Sequence, residues 1–152
     1  MNIYIFDIDG VLADLKHRLC YRHRGDFDTF YQDSKVLADG LIWPGRELLR
    51  IMKQDGVVVY ATGRPEKTRR ATIEWLQKNR LPICGMLMRE DGDFRPSPEI
   101  KVEQVRKALE CFSSIDKVWF IDDDPKNVVA VEDAFAGTKI KVNGLVYGTK
   151  RL

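Results

Sequence analysis

Asp7 and Asp9, Thr62-Gly63-Arg64, Lys101, and the run Asp122-Asp123-Asp124 are the residues whose types and spacing could do chemistry. Two carboxylates one residue apart can divide a phosphoryl reaction. One attacks phosphorus to give an aspartyl-phosphate, and the other protonates the leaving oxygen and later activates water. A cluster of carboxylates needs a compensating cation, and oxygen donors with no cysteine or histidine beside them select a hard ion. Mg²⁺ is therefore the implied cofactor, an ion that readily shares its shell with a substrate phosphate. The Thr62 hydroxyl, the loop amides at Gly63 and the Lys101 ammonium suit the remaining phosphate oxygens. Each piece alone has an ordinary reading. Asp-x-Asp is also a turn device, Thr-Gly a plain turn, Lys101 a solvated helix charge, and Asp124 before Pro125 a helix N-cap. Only convergence on one place in a fold separates the two readings.

The flanking sequence predicts such a fold. Residues 2 to 8 read as a buried strand that stops at Asp9-Gly10, followed by Val57 to Ala61, Ile83 to Met88, Lys117 to Ile121 and Lys139 to Val142. Between them lie helical patterns: residues 26 to 38, a helix opened by Pro44 and ended by Gly56, and one with Pro65 just inside its start. Ser97-Pro98 has the cap-then-proline signature of a helix whose buried face is Val102, Val105, Leu109 and Phe112, and Pro125 to Phe135 forms the last. Strands alternating with helices give an α/β, three-layer, doubly wound and mostly parallel sheet, here expected as a single domain over residues 1–152. Ligands bind outside the carboxyl ends of such strands, and all four residue groups fall there.

Composition narrows the function classes. The chain is 44% hydrophobic and 32% charged, with 25 basic against 23 acidic residues and a net charge of +2, far from the basic excess of a dedicated nucleic-acid binder. No apolar run reaches the ~18 residues of a membrane helix, so a cytoplasmic protein without membrane contact is expected. Cys20, Cys84 and Cys111 are odd in number and far apart, which reads as packing thiols and not as a disulfide framework or zinc site. Trp43, Trp75 and Trp119 read as core residues, and His17 and His23 as either surface residues or substrate contacts. Lys16, Arg18, Arg22 and Arg24 form an acid-free basic stretch that is either a solvated loop or a holder for a second phosphate.

Phe-Asp-Ile-Asp-Gly-Val-Leu-Ala-Asp (6 to 14), Ala-Thr-Gly-Arg (61 to 64), Lys101 and Phe-Ile-Asp-Asp-Asp-Pro-Lys-Asn (120 to 127) together resemble the four ordered motifs of haloacid-dehalogenase-like (HAD) phosphatases. The resemblance implies Asp7 as nucleophile, Asp9 as general acid and base, and Thr62, Gly63 and Lys101 on the phosphate. It also implies Asp122 and Asp123 holding Mg²⁺ with Asp7 and Asp9, although Asp123-Asp124 is an alternative register. A closer likeness is to the phosphatase domain of phage-type polynucleotide kinases, through His17-Arg18, Thr-Gly-Arg-Pro-Glu (62 to 66) and Leu-Met-Arg-Glu-Asp-Gly-Asp-Phe-Arg-Pro (87 to 96). It implies roles at the site for Arg18 and Arg64, as phosphate- or substrate-binding residues. Two positions depart from that pattern: Ser97 stands where the family has an aspartate four residues before the lysine, and Asp124 where it has an arginine after the paired aspartates.

The stretch between Asp9 and Thr62 is largely taken by the sheet's own helices, so no large cap domain is expected and the site should be open. Family members without a large cap often act on bulky or macromolecular phosphates. The resulting expectation is a Mg²⁺-dependent phosphomonoesterase acting through an aspartyl-phosphate, on nucleotide or nucleic-acid phosphate ends, 3′ ends among them. Its partners would be a phosphorylated small molecule or a nucleic-acid end, with no indication whether a separate kinase acts beside it. The alternatives are a small-metabolite phosphatase, a phosphate-storing receiver-like domain and a non-catalytic phosphate-binding module. Receivers place their paired acids early and their lysine late, whereas here Lys101 precedes the acidic triplet.

Overall fold

The computed structural model describes residues 1–148. Five parallel strands make the central sheet: β1 (Asn2–Phe6), β4 (Gly56–Pro65), β5 (Met86–Arg89), β6 (Lys117–Asp122) and β7 (Val142–Val146), in the order β5-β4-β1-β6-β7. A two-stranded antiparallel ribbon, β2 (Ala13–Asp14) and β3 (Gly40–Leu41), lies outside it. Between the ribbon strands come three short helices, α1 (Leu19–His23), α2 (Phe27–Phe30) and α3 (Asp33–Leu37). The long helices are α4 (Trp43–Met52), α5 (Arg69–Lys78), α6 (Ser97–Glu110) and α7 (Pro125–Phe135). Among the described residues the excursion from β2 to β3 takes the place of a cap, and no helix is long and apolar enough to cross a membrane.

Side chains that alternate along a strand feed two cores. Tyr4 and Phe6 of β1, with Val58 and Tyr60 of β4, pack under Leu49 of α4 and Trp75 and Leu76 of α5. Ile3 and Ile5, with Val59, Val118 and Phe120, pack under Val105 and Leu109 of α6 and Val128 and Val131 of α7. Strands buried on both faces by helices explain the near-continuous apolar runs Ile3–Phe6 and Val57–Ala61. Each fully buried large side chain contributes about 1.5–3 kcal/mol. From β1 the chain moves outward through β4 to β5, then returns to β6 on the other flank. That reversal opens a crevice beyond the carboxyl ends of β1 and β6, the usual ligand site of such sheets.

Several local expectations are corrected. β1 ends at Phe6 because Ile8 starts a tight loop whose carbonyl accepts the amides of Val11, Leu12 and Ala13. Residues 26 to 38 are two short helices, since Gln32 is extended (φ −59°, ψ 139°) and breaks the run. Pro65 is extended and pairs with Arg89 at the end of β4, so α5 begins only at Arg69. Pro98 does sit in the first turn of α6, but Ser97 makes no side-chain cap. The last strand runs 142–146, not 139–142, because the Thr138 hydroxyl bonds the Phe135 and Ile140 carbonyls and holds the preceding turn. Trp43 is 62% exposed under the Arg46 guanidinium, off the Gly45-Leu49 face that α4 buries, while Trp75 is fully buried and Trp119 partly so. Cys20, Cys84 and Cys111 are exposed free thiols, not packing residues.

Candidate active site

The crevice gathers Asp7, one residue beyond β1, Asp122 at the end of β6, Asp123 after it, and Lys101 from the first turns of α6, all buried. The Asp7 amide donates to the Ile121 carbonyl at 2.8 Å, which extends the sheet bonding by one residue and fixes where its carboxylate stands. The Lys101 ammonium donates to Asp7 Oδ1 at 2.7 Å and to the Ala61 carbonyl, and lies 3.4 Å from Asp122 Oδ2. Carboxylate oxygens of Asp7, Asp122 and Asp123 lie within 4.8 Å of one another. Three carboxylates against one ammonium leave a formal charge of −2, so the donor set fits a hard divalent cation.

Local bonding decides which members of the acidic triplet face Asp7. Asp122 accepts from the Asp124 amide at 2.9 Å and from the Asn127 side-chain amide at 3.1 Å, which orients it inward. Asp124 caps α7, accepting from the Lys126 amide at 2.9 Å, so its carboxylate is directed to the helix end. Gly10, at φ +84°, completes the arrangement, because a Cβ there would overlap the Asp123 carboxylate.

Asp9 is not in this carboxylate group; its side chain turns to two arginines instead. Arg64 donates to Asp9 Oδ1 through Nε at 2.9 Å and Nη2 at 2.6 Å, and through Nη2 to Asp39 at 2.8 Å. Arg18 makes a two-pronged pair with Asp39, both bonds 2.8 Å, donates to the Phe30 carbonyl at 3.0 Å, and lies 3.9 Å from Asp9. Both arginine side chains are 0% exposed. Burial opposes the Arg64 charge, yet Asp9, followed by Asp39 and Asp7, outweighs it and raises the guanidinium pKa above its ordinary value. His17, partly exposed, adds a fourth bond to Asp39 at 2.8 Å.

Thr62 is buried at the end of the apolar part of β4; its hydroxyl accepts the Arg64 amide at 3.1 Å and its carbonyl accepts Gln104 Nε2 at 2.8 Å. Asp7, Asp9, Gly63 and Lys101 line a cleft of about 640 Å³, whose walls are residues 22–31 and the loop after β5. The basic stretch does not act as a unit. Arg18 is turned inward, Arg24 lies over Tyr21, and Arg22 reaches the cleft.

A family model for the polynucleotide kinase PNKP phosphatase domain matches residues 1–135. The chain belongs to that family. Among solved structures, this PNKP-type phosphatase domain is similar to Pnkp1 in the Pnkp1/Rnl/Hen1 RNA repair complex (24% identity, TM-score 0.73, covering 98% of this chain and 43% of that one). A second Pnkp1/Rnl/Hen1 complex gives 23% identity and a TM-score of 0.70 over 98% of this chain and 47% of that one. The chain thus spans less than half the length of these two relatives. A HAD-superfamily hydrolase from Geobacter sulfurreducens shares the fold at 17% identity and TM-score 0.62, over 92% of this chain and 88% of that one. No curated protein matches the chain.

Sequence reasoning did not find Asp39 or Gln104 in this PNKP-type site, and it gave Asn127, inside the last motif, no role of its own. Gln104 follows Lys101 by three residues on one helix face, a usable signal. Asp39 before Gly40 reads only as a turn, and nothing local marks it as the counter-charge of two arginines.

Proposed function

We propose that this domain is a Mg²⁺-dependent phosphomonoesterase that removes phosphate from nucleotide or nucleic-acid ends, 3′ ends included. One observation carries the reading: Asp7 is gathered with the Lys101 ammonium and two further carboxylates at the sheet's crevice, with Asp9 fixed separately by Arg64. Asp7, Asp122 and Asp123 would hold the metal, which neutralises phosphate oxygens and so makes phosphorus open to attack by an anion.

In this reading an Asp7 oxygen attacks phosphorus and forms an acyl phosphate as the ester oxygen leaves. Asp9 gives that oxygen its proton, then takes one from the water that cleaves the acyl phosphate, restoring Asp7 and releasing inorganic phosphate. Lys101, the Thr62 hydroxyl and the amides at Gly63 hold the phosphate oxygens. Arg64 and Arg18 keep the Asp9 carboxyl in place. Family membership supports a polynucleotide end as substrate, and the neighbour in an RNA repair complex supports partner proteins working beside this domain.

The test is phosphate release from an aryl phosphate, 3′- and 5′-nucleoside monophosphates and 3′- and 5′-phosphorylated oligonucleotides, with Mg²⁺ or with chelator. Mg²⁺-dependent release that disappears in Asp7→Asn, with the variant folded, is the expected result. Release by Asp7→Asn at the wild-type rate would overturn it.

A further inference from the structure

The cleft above Asp7 carries aromatic rings where a second phosphate site would need available cations. Phe94 lines it and is 93% exposed, the most exposed large apolar side chain among the described residues. A single exposed phenylalanine is ordinary on a surface, but this one sits on a backbone that several bonds lock. Gly92 turns the loop at φ +78°. Arg89 donates to the carbonyls of Asp93 at 2.9 Å and Arg95 at 2.8 Å, on either side of Phe94. Arg95 clamps Asp93 and Glu103, each at 2.7 Å, and the Lys67 amide donates to Asp91 at 3.0 Å. The ring is therefore presented to the cleft by a preorganised turn, without the ordering cost of a floppy loop.

The segment 22–31 supplies a second flat surface. Phe27, half exposed, stacks with Tyr31 at 6.5 Å between ring centres and 21° between planes, and both line the cleft. Tyr31 is braced by an edge contact with Phe30 at 4.7 Å. Lys67 links the two walls, its ammonium 3.7 Å from Asp28 and its amide on Asp91. Of the cations around the opening, Lys67 is engaged with Asp28, Arg89 with carbonyls and Arg95 with carboxylates, while Arg22 stands among the acidic residues Asp26, Asp28, Glu90, Asp91 and Asp93 that also line the cleft. With acids outnumbering cations on the walls, they receive an uncharged flat ring better than another anion, and the cleft's 640 Å³ is of nucleotide size.

We infer that Phe94, with the Phe27–Tyr31 pair, is a stacking subsite for the nucleobase attached to the phosphate that Asp7 attacks. Stacking explains how one site would accept any base, since every base has a π face. The inference rests on the phosphatase reading but concerns the part of the substrate that does not react. It is tested by kcat/KM for thymidine 3′-monophosphate and for the same sugar phosphate lacking a base, in wild type, Phe94→Ala and Phe94→Trp. The ratio of the two values falls about tenfold in Phe94→Ala and returns in Phe94→Trp. An unchanged ratio in Phe94→Ala overturns the subsite while leaving hydrolysis intact. In parallel, 2-aminopurine riboside 3′-monophosphate is titrated into Asp7→Asn with and without Phe94→Ala. Fluorescence quenching that requires Phe94 upholds the subsite even if no phosphate is released from any substrate, which would sink the phosphatase reading alone. Equal quenching in the two proteins overturns the subsite.

Discussion

Asp39→Asn changes one oxygen for an NH₂ group at the centre of four bonds, from Arg18 Nε, Arg18 Nη2, Arg64 Nη2 and His17 Nε2, all 2.8 Å long. Two arginines with no exposed side-chain surface then share a single carboxyl partner, Asp9, which lies 2.6 Å from one and 3.9 Å from the other. The amide also turns a donor toward a guanidinium that has only donors. Removing one partner of a buried pair costs about 3–5 kcal/mol, because the remaining charge is left without compensation. For a chain of this size each kcal/mol moves the midpoint by about 2–4 °C, so thermal unfolding followed by circular dichroism should fall by roughly 6–20 °C. Arg18→Met in the same chain removes the stranded charge and should recover much of that loss. Because Arg64 orients Asp9, the folded variant assayed well below its midpoint should lose more kcat on an alkyl phosphate than on an aryl phosphate, whose leaving group needs less help from an acid. A midpoint within 2 °C of wild type, on the order of the shift per kcal/mol, would refute the claim that Asp39 compensates the two arginines. An equal kcat loss on both substrates would refute its action through Asp9.

Two further outcomes follow from local geometry. Gly10→Ala places a Cβ on the Asp123 carboxylate at a backbone angle of +84°, so phosphate release should be lost and stability lowered by about 1–3 kcal/mol, measured by urea unfolding; wild-type turnover would contradict that crowding. The Asp93 carboxyl is lowered to about 2, first by the side-chain bonds of Arg95 and then by its backbone amide. Since the folded value is depressed below the ordinary 3.8, the clamp's contribution is present above pH 3.8 and is lost as the pH falls through about 2. Carboxyl ¹³C chemical shifts of Asp93 should therefore titrate near 2, and a midpoint at or above 3.8 would mean that Arg95 does not hold it.

What was legible in the sequence follows the range of the forces involved. The alternation of apolar strands and amphipathic helices is local, and it specified the parallel sheet and the edge where Asp7, Thr62, Lys101 and Asp122 meet. Boundaries failed where a single backbone bond decides the matter, as at Gln32 and Pro65. The direction of Asp9 and Arg18 was illegible for a different reason. Asp9 is held by Arg64, 55 residues further along, and Arg18 by Asp39, 21 residues further along, and a long-range charge pairing leaves no periodic trace in one sequence. Asp124 shows the converse. Its position before Pro125 already announced a helix cap, and the cap bond is what directs it away from Asp7.

The edge of the sheet divides into two charge systems with different compensation. Asp9 and Asp39 face Arg18 and Arg64, two negative charges against two positive whenever Asp9 has given up its proton, and this set is balanced without a metal. Asp7, Asp122 and Asp123 gather beside Lys101, three carboxylates against one ammonium, a donor set that fits a divalent cation. Arg64 can therefore hold Asp9 in place without a metal, while the carboxylate group keeps negative charge to offer one. That division suits a reaction in which one carboxylate must meet an incoming anion and the other must keep its orientation through both proton transfers. It also explains why the arginines are buried and not displayed: their donors are spent on Asp9 and Asp39, and in the proposed reaction the phosphate would fall to Lys101, Thr62 and the metal.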